Sequence, residues 1–150
     1  MPNHFHFLVR MKSPEVVLDL QGFENLGGLL RYQRLITQQF SNLFNAYTKA
    51  YNKLYNRRGS LFIPNFKKKE ITRNEYLTRV IYYIHHNPIH HGFCTDIEAW
   101  PHSSFHALLS TKQTQLDRAA VQKWFGSREA LKEYHQQSFT GLDKLERELT

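Results

Sequence analysis

The period of the apolar positions changes along the chain. Over residues 3–11, Phe5, Phe7 and Val9 recur at period two with His4 and His6 between them, which predicts a strand. Ser13-Pro14 breaks it, and a connector over 14–28 carries Gly22, Gly27 and Gly28. From about 29 to 54 the spacing becomes helical, through Leu29, Leu30, Ile36, Phe40, Leu43, Phe44, Tyr47, Tyr51 and Leu54. This predicts one long amphipathic helix whose apolar stripe joins a core and whose other face carries Arg31, Arg34, Gln38 and Lys49. Asn56-Arg57-Arg58-Gly59 stops that helix, and residues 60–66 read as a short strand, bent or at an edge because of Pro64. A second helix is predicted from Thr72, as N-cap with Glu75 three residues on, to about residue 86, burying Leu77, Val80, Ile81 and Ile84 and ended by Pro88. Residues 93–106 read as a loop, with Ser103 or Ser104 capping a helix that starts near Phe105. Two helical stretches occupy the tail over 114–150. The first carries Leu116, Ala120, Val121, Trp124 and Phe125; after Gly126, Ser127 caps the second, with Leu131 and Tyr134. Nothing after Thr140 carries an obligatory element.

Composition narrows the class. The 150 residues suffice for a domain with a real core, and a net charge of +7 points either to a polyanionic partner, nucleic acid before anionic membrane, or to a soluble protein that is simply basic. Aromatics make up 14% of the chain and many lie near basic residues, a mixture that suits stacked bases and paired phosphates of single strands. The single cysteine, Cys94, excludes a disulfide framework or a four-cysteine zinc site within one chain. No apolar run approaches a membrane span and no signal peptide opens the sequence, which predicts a cytoplasmic protein.

Two short patterns carry candidate chemistry. His4 and His6, one strand-step apart, point the same way and can share a divalent metal; the plainer reading of such a pair is two solvated or structural histidines. Tyr83 and Asn87, four apart in Tyr82-Tyr83-Ile84-His85-His86-Asn87-Pro88, share a helix face, so a tyrosine hydroxyl stands beside a metal-competent amide oxygen. The plainer reading of Tyr83 is a half-buried core tyrosine. Arg57 and Arg58 with Lys67-Lys68-Lys69 form either a phosphate-facing patch or a solvated turn.

With these patterns in view, the chain resembles the IS200-like Y1 transposases of the HUH superfamily, and more closely the REP-associated tyrosine transposase branch. Four stretches carry the resemblance, in the family's order: Met1-Pro2-Asn3-His4-Phe5-His6, Tyr55-Asn56-Arg57-Arg58-Gly59-Ser60-Leu61-Phe62, Tyr83-Ile84-His85-His86-Asn87-Pro88 and Trp100-Pro101-His102-Ser103-Ser104-Phe105. The resemblance implies an α+β, ferredoxin-like fold, with a catalytic domain over 1–110 and a helical extension over 111–150. It also implies cleavage and rejoining of single-stranded, hairpin-containing DNA. Tyr83 would be the nucleophile that forms a 5′-phosphotyrosine, His4, His6 and Asn87 the ligands of Mg²⁺ or Mn²⁺, and Arg57, Arg58, Lys67, Lys68 and Lys69 the DNA contacts. Tyr82 points about 100° away from Tyr83 on the helix, which leaves Tyr83 as the choice. His85, His86, His90 and His91 are assigned to phosphate contacts or surface.

The chain departs from the family at its start, where the family has a strand, a helix and a strand before the double-histidine strand. The expected fold is therefore incomplete at the N-terminus, and strands near 4–10 and 60–66 would not be neighbours. The sheet is then completed by a second copy in a homodimer, or the helices dominate a rearranged fold, or the chain is an incomplete gene product. A DNA-binding remnant without catalysis is the alternative function. An unrelated metal-dependent hydrolase is disfavoured because neither motif contains a nearby Asp or Glu.

Overall fold

The computed structural model describes residues 4–18, 26–63 and 66–149. Met1, Pro2 and Asn3 of the first motif, Gly22 of the connector and Pro64 of the predicted second strand lie outside them. The described residues form seven α-helices and no strand: α1 (Pro14–Leu18), α2 (Leu26–Leu54), α3 (Asn74–His90), α4 (Phe105–Leu109), α5 (Arg118–Phe125), α6 (Arg128–Gln136) and α7 (Leu142–Leu149), with a 3₁₀ turn at Ile97–Ala99. The α+β, ferredoxin-like expectation is thus overturned, because the described residues are helical and build no sheet. The physical reason is that a strand needs a ladder partner. Residues 4–10 form no strand, and in the predicted second strand residues 61 and 62 are bends. The alternation read from the first segment survives locally: Phe5 and Phe7 bring their rings to 4.6 Å, and His4 and His6 theirs to 5.3 Å. Phe5 and Phe7 are 46% and 62% exposed, so without a sheet this alternation buries little.

Two compact units divide the chain, residues 9–66 and residues 1–8 with 67–150. In the first, the long helix is as expected and begins slightly earlier, including Gly27 and Gly28; part of the predicted connector is α1. Its apolar stripe, however, is not a core. No described residue of this unit is buried, and Leu43, Tyr47 and Leu54 are 52%, 54% and 75% exposed. Cover comes from ring contacts instead: Phe40 and Phe44 meet Phe66, Phe44 and Tyr47 meet Phe62, and Tyr51 meets Tyr55. The helix ends where the sequence indicated. Asn56 takes the left-handed conformation at φ 47°, tolerated by asparagine, and Asn52 Nδ2 donates to the Gly59 carbonyl at 2.9 Å.

The second unit is organised around α3. Val80, Ile81, Tyr82, Tyr83, His85, Asn87 and Pro88 are all buried, so the helix is covered on more than one side. On one side Val80 and Tyr83 pack with Leu145 of α7, flanked by Ile84, Leu142 and Leu149. A second cluster joins Phe105 and Leu108 of α4 to Leu131 of α6, with Val121 and Phe125 of α5. Ser127 caps α6 by accepting from the Ala130 N–H at 3.0 Å, and Gly126 at φ 92° separates it from α5, both as expected. At the start of α4, Ser103 Oγ rather than Ser104 accepts from the Phe105 N–H, at 3.1 Å.

Three local expectations are corrected. Arg73, not Thr72, sits at the N-cap of α3, and no side chain caps it. Pro88 lies inside α3 rather than ending it; the helix runs on to His90. Its end is set by Gly92 at φ 73°, where Gly92 N–H donates to Ile89 O and Phe93 N–H to Pro88 O, closing a left-handed turn that glycine enters without strain. Finally, residues after Thr140 do form an element. Leu142, Leu145 and Leu149 fall at helical spacing, and the buried Leu145 fixes α7 against α3.

Candidate active site

One face of α3 carries Tyr83, Asn87 and His90 at successive turns, with His91 at the helix cap. The segment over residues 4–8, outside any helix, places His6 beside the first two. Its ring stands edge-on to Tyr83 with centroids 5.3 Å apart, and its Nε2 lies 3.5 Å from Asn87 Nδ2. His4 adjoins His6 and also meets His91, with centroids 5.8 Å apart. Two elements distant in sequence thus bring together the residues the motifs singled out, His4, His6, Tyr83 and Asn87.

The electrostatics of the group are unusual. Tyr83 is 1% exposed, and burial, reinforced by the negative charge of Glu146, pushes its hydroxyl up to about 12. The Asn87 amide favours the phenolate slightly, but the geometry falls short of a hydrogen bond, and Tyr83 Oη has no partner. Asn87 Oδ1 is likewise buried and unpartnered. Burial first, then neighbouring imidazoles, lowers His4 and His6, so both rings are neutral at physiological pH and offer a lone pair.

This donor set fits a divalent cation. His6 Nε2 and the Asn87 amide stand at a spacing that two ligands of one ion can adopt, and rotating the amide end for end would present the unpartnered Oδ1 to His6. The buried orphan oxygen is what an amide ligand looks like without its ion.

The basic residues divide between the two units. Arg57 holds its guanidinium 5.8 Å over the Tyr51 ring and donates to Asn52 Oδ1 and the Ser60 carbonyl; Arg58 is exposed. Lys67 and Lys68 are exposed. Lys69 fastens α7: it donates to Tyr76 Oη at 3.3 Å and the Glu148 carbonyl at 3.1 Å, and pairs with the Glu148 carboxylate at 3.7 Å. Comparison with protein-family models, curated proteins and solved structures gives no match.

Sequence reasoning missed two features. Glu146 reaches His90 Nε2 at 3.2 Å and His91 Nε2 at 3.4 Å, so the histidine cluster does have a carboxylate, supplied from the far end of the chain. The helical spacing of Leu142, Leu145 and Leu149 was the available signal, since it turns Asp143 and Glu146 toward α3. The second feature is His85, which is 1% exposed rather than a surface group. Its Nδ1–H donates to His135 Nε2 at 2.9 Å, and its Nε2 accepts from the Ser104 hydroxyl at 2.7 Å. The direction follows from His135, whose Nδ1–H is committed to the Leu131 carbonyl at 2.8 Å.

Proposed function

We propose that the chain cleaves and rejoins single-stranded DNA through Tyr83, as the resemblance to IS200-like Y1 transposases implies. The observation that carries this reading is the pair of buried, unpartnered atoms, Tyr83 Oη and Asn87 Oδ1, beside the neutral ring of His6. Tyr83 Oη attacks the scissile phosphorus, the bond to the 3′ oxygen breaks, and a 5′-phosphotyrosine and a free 3′-OH result. The phenolic proton leaves Tyr83 and the 3′ oxygen gains one, so the step is neutral overall. A hydroxyl pushed up to about 12 is a weak nucleophile at pH 7. His4, His6 and Asn87 would hold a Mg²⁺ or Mn²⁺, whose chemistry would be to polarise the phosphate and offset the developing charge. The helical turn from Tyr83 to Asn87 keeps nucleophile and ligand in register. The reaction fits a cytoplasmic protein, and among the described residues no helix is long and apolar enough to cross a membrane.

The test is a covalent adduct. Incubated with labelled hairpin DNA and Mn²⁺, the chain forms a protein–DNA species stable to denaturation, and Tyr83→Phe abolishes it while DNA binding stays within a few-fold. The same variant is expected to be more stable by about 1 kcal/mol in urea, because it removes a buried hydroxyl with no partner. An adduct that persists in Tyr83→Phe and disappears in Tyr82→Phe would reassign the nucleophile.

The 1% exposure of Tyr83 favours a second reading, a DNA-binding chain without cleavage, since a phosphate reaches Oη only after a covering group moves. Both readings predict salt-sensitive binding of single strands, with a log–log slope of roughly −0.7 per phosphate neutralised. Replacing Lys67 and Lys68 by alanine flattens that slope; a slope unchanged by the double replacement returns them to a solvated turn. Absence of any adduct alongside salt-dependent binding selects the second reading.

A further inference from the structure

The last turn of α3 and the middle of α7 converge on three potential ligands. His90 Nε2 lies 3.2 Å from Glu146 Oε2 and 3.4 Å from Asp143 Oδ1, and the three ligand atoms all lie within 4.8 Å of one another. Donors about 2.1 Å from a common ion stand about 3.0–3.4 Å apart, and the two separations from His90 fall in that range. Asp143 and Glu146 are three apart on α7 and therefore share a face. The second Glu146 oxygen faces His91 Nε2 at 3.4 Å, so this carboxylate spans two imidazoles.

From this geometry we infer that His90, Asp143 and Glu146 form a divalent transition-metal site, separate from the His4, His6 and Asn87 group and closed by the C-terminal helix. One imidazole and two carboxylates suit Zn²⁺ or Mn²⁺, and the exposure of His90 and Asp143 leaves positions for water. The ion would fasten α7 to α3 and so stabilise the chain in proportion to its occupancy. The inference does not depend on DNA cleavage, because none of its three ligands belongs to the proposed nucleophile group.

Zn²⁺ titration of the full chain tests it. In the His4→Ala/His6→Ala double variant, which removes the other pair of histidines, calorimetry should still detect one Zn²⁺ per chain, and Zn²⁺ should raise the melting temperature. Adding Glu146→Gln, which keeps the side chain's shape, should weaken Zn²⁺ binding by about tenfold or more and remove the melting shift. His90→Gln should do the same, and circular dichroism in the absence of metal checks that both variants fold. No Zn²⁺ bound by the double variant, or Zn²⁺ binding unaltered by both Glu146→Gln and His90→Gln, would overturn the site and leave an ordinary ion pair between α3 and α7. Absence of the DNA adduct from the unmutated chain, with Zn²⁺ binding by the double variant intact, would count against the cleavage reading alone.

Discussion

Acidification from pH 7.5 to pH 5 is expected to cost the protein about 4 kcal/mol of stability, about 2 kcal/mol from each of two buried histidines. Burial, reinforced by the neighbouring imidazoles, pushes His85 down to about 3. Burial also pushes His135 down to about 4, despite the Leu131 carbonyl that accepts from its Nδ1–H. In the unfolded chain both rings return to about 6.5. Between those values the unfolded state binds protons that the folded state refuses, so stability is fully present above about pH 6.5 and falls as pH drops toward the folded values. The hydrogen bonds explain why the network resists a proton. His85 Nδ1–H donates to His135 Nε2 and His85 Nε2 accepts from Ser104, so every ring nitrogen already has a partner in the neutral state. A proton on either acceptor turns a bond into a donor–donor clash inside the core. Burial lowers His4, His6 and His86 too, which adds in the same sense. Urea unfolding followed by circular dichroism at several pH values checks this. The slope of stability against pH should approach two protons near pH 5, and a flat profile from pH 7 to pH 5 would sink the assignment.

Phe105→Ala should destabilise the protein by about 3–5 kcal/mol, a large share of what a domain of this size commands. Phe105 is 2% exposed and packs with Leu108 and Leu131, so its loss leaves a cavity that the helices around it close only in part. The same ring forms a wall of the histidine network, with centroids 5.6 Å from His85 and 5.2 Å from His135. Opening that wall admits water to the imidazoles and weakens the burial that holds their protonation down. The variant should therefore be less stable at pH 7.5 yet lose less on going to pH 5. Denaturant curves at the two pH values measure both effects. A variant that loses the full 3–5 kcal/mol but keeps the parent's pH slope would separate the packing role of Phe105 from any influence on the histidines.

Elements governed by local spacing were legible in the sequence. The period of α2, the stop at Asn56, the start of α6 at Ser127 and the break at Gly126 each depend on a few neighbouring residues, and each was readable from them. The face shared by Tyr83 and Asn87 also follows from helical geometry alone. Legibility failed where the outcome depends on a distant partner. Residues 4–10 alternate as a strand does, but a strand exists only when another strand satisfies its backbone, and among the described residues none does. The apolar stripe of α2 has the pattern of a core face, yet burial needs something to cover it, and its leucines remain largely exposed.

The candidate site divides along the same line. Sequence alone determined which residue types are available and which of them share a helix face, because those properties are set within one or two turns. Tertiary structure decided that His6 stands edge-on beside Tyr83 and that Glu146, from a stretch that looked dispensable, faces His90 and His91. It also buried His85 between Ser104 and His135, residues 19 and 50 positions away. Protonation and ligand geometry depend on desolvation and on charges within a few ångströms, and those distances are set by packing between segments far apart along the chain.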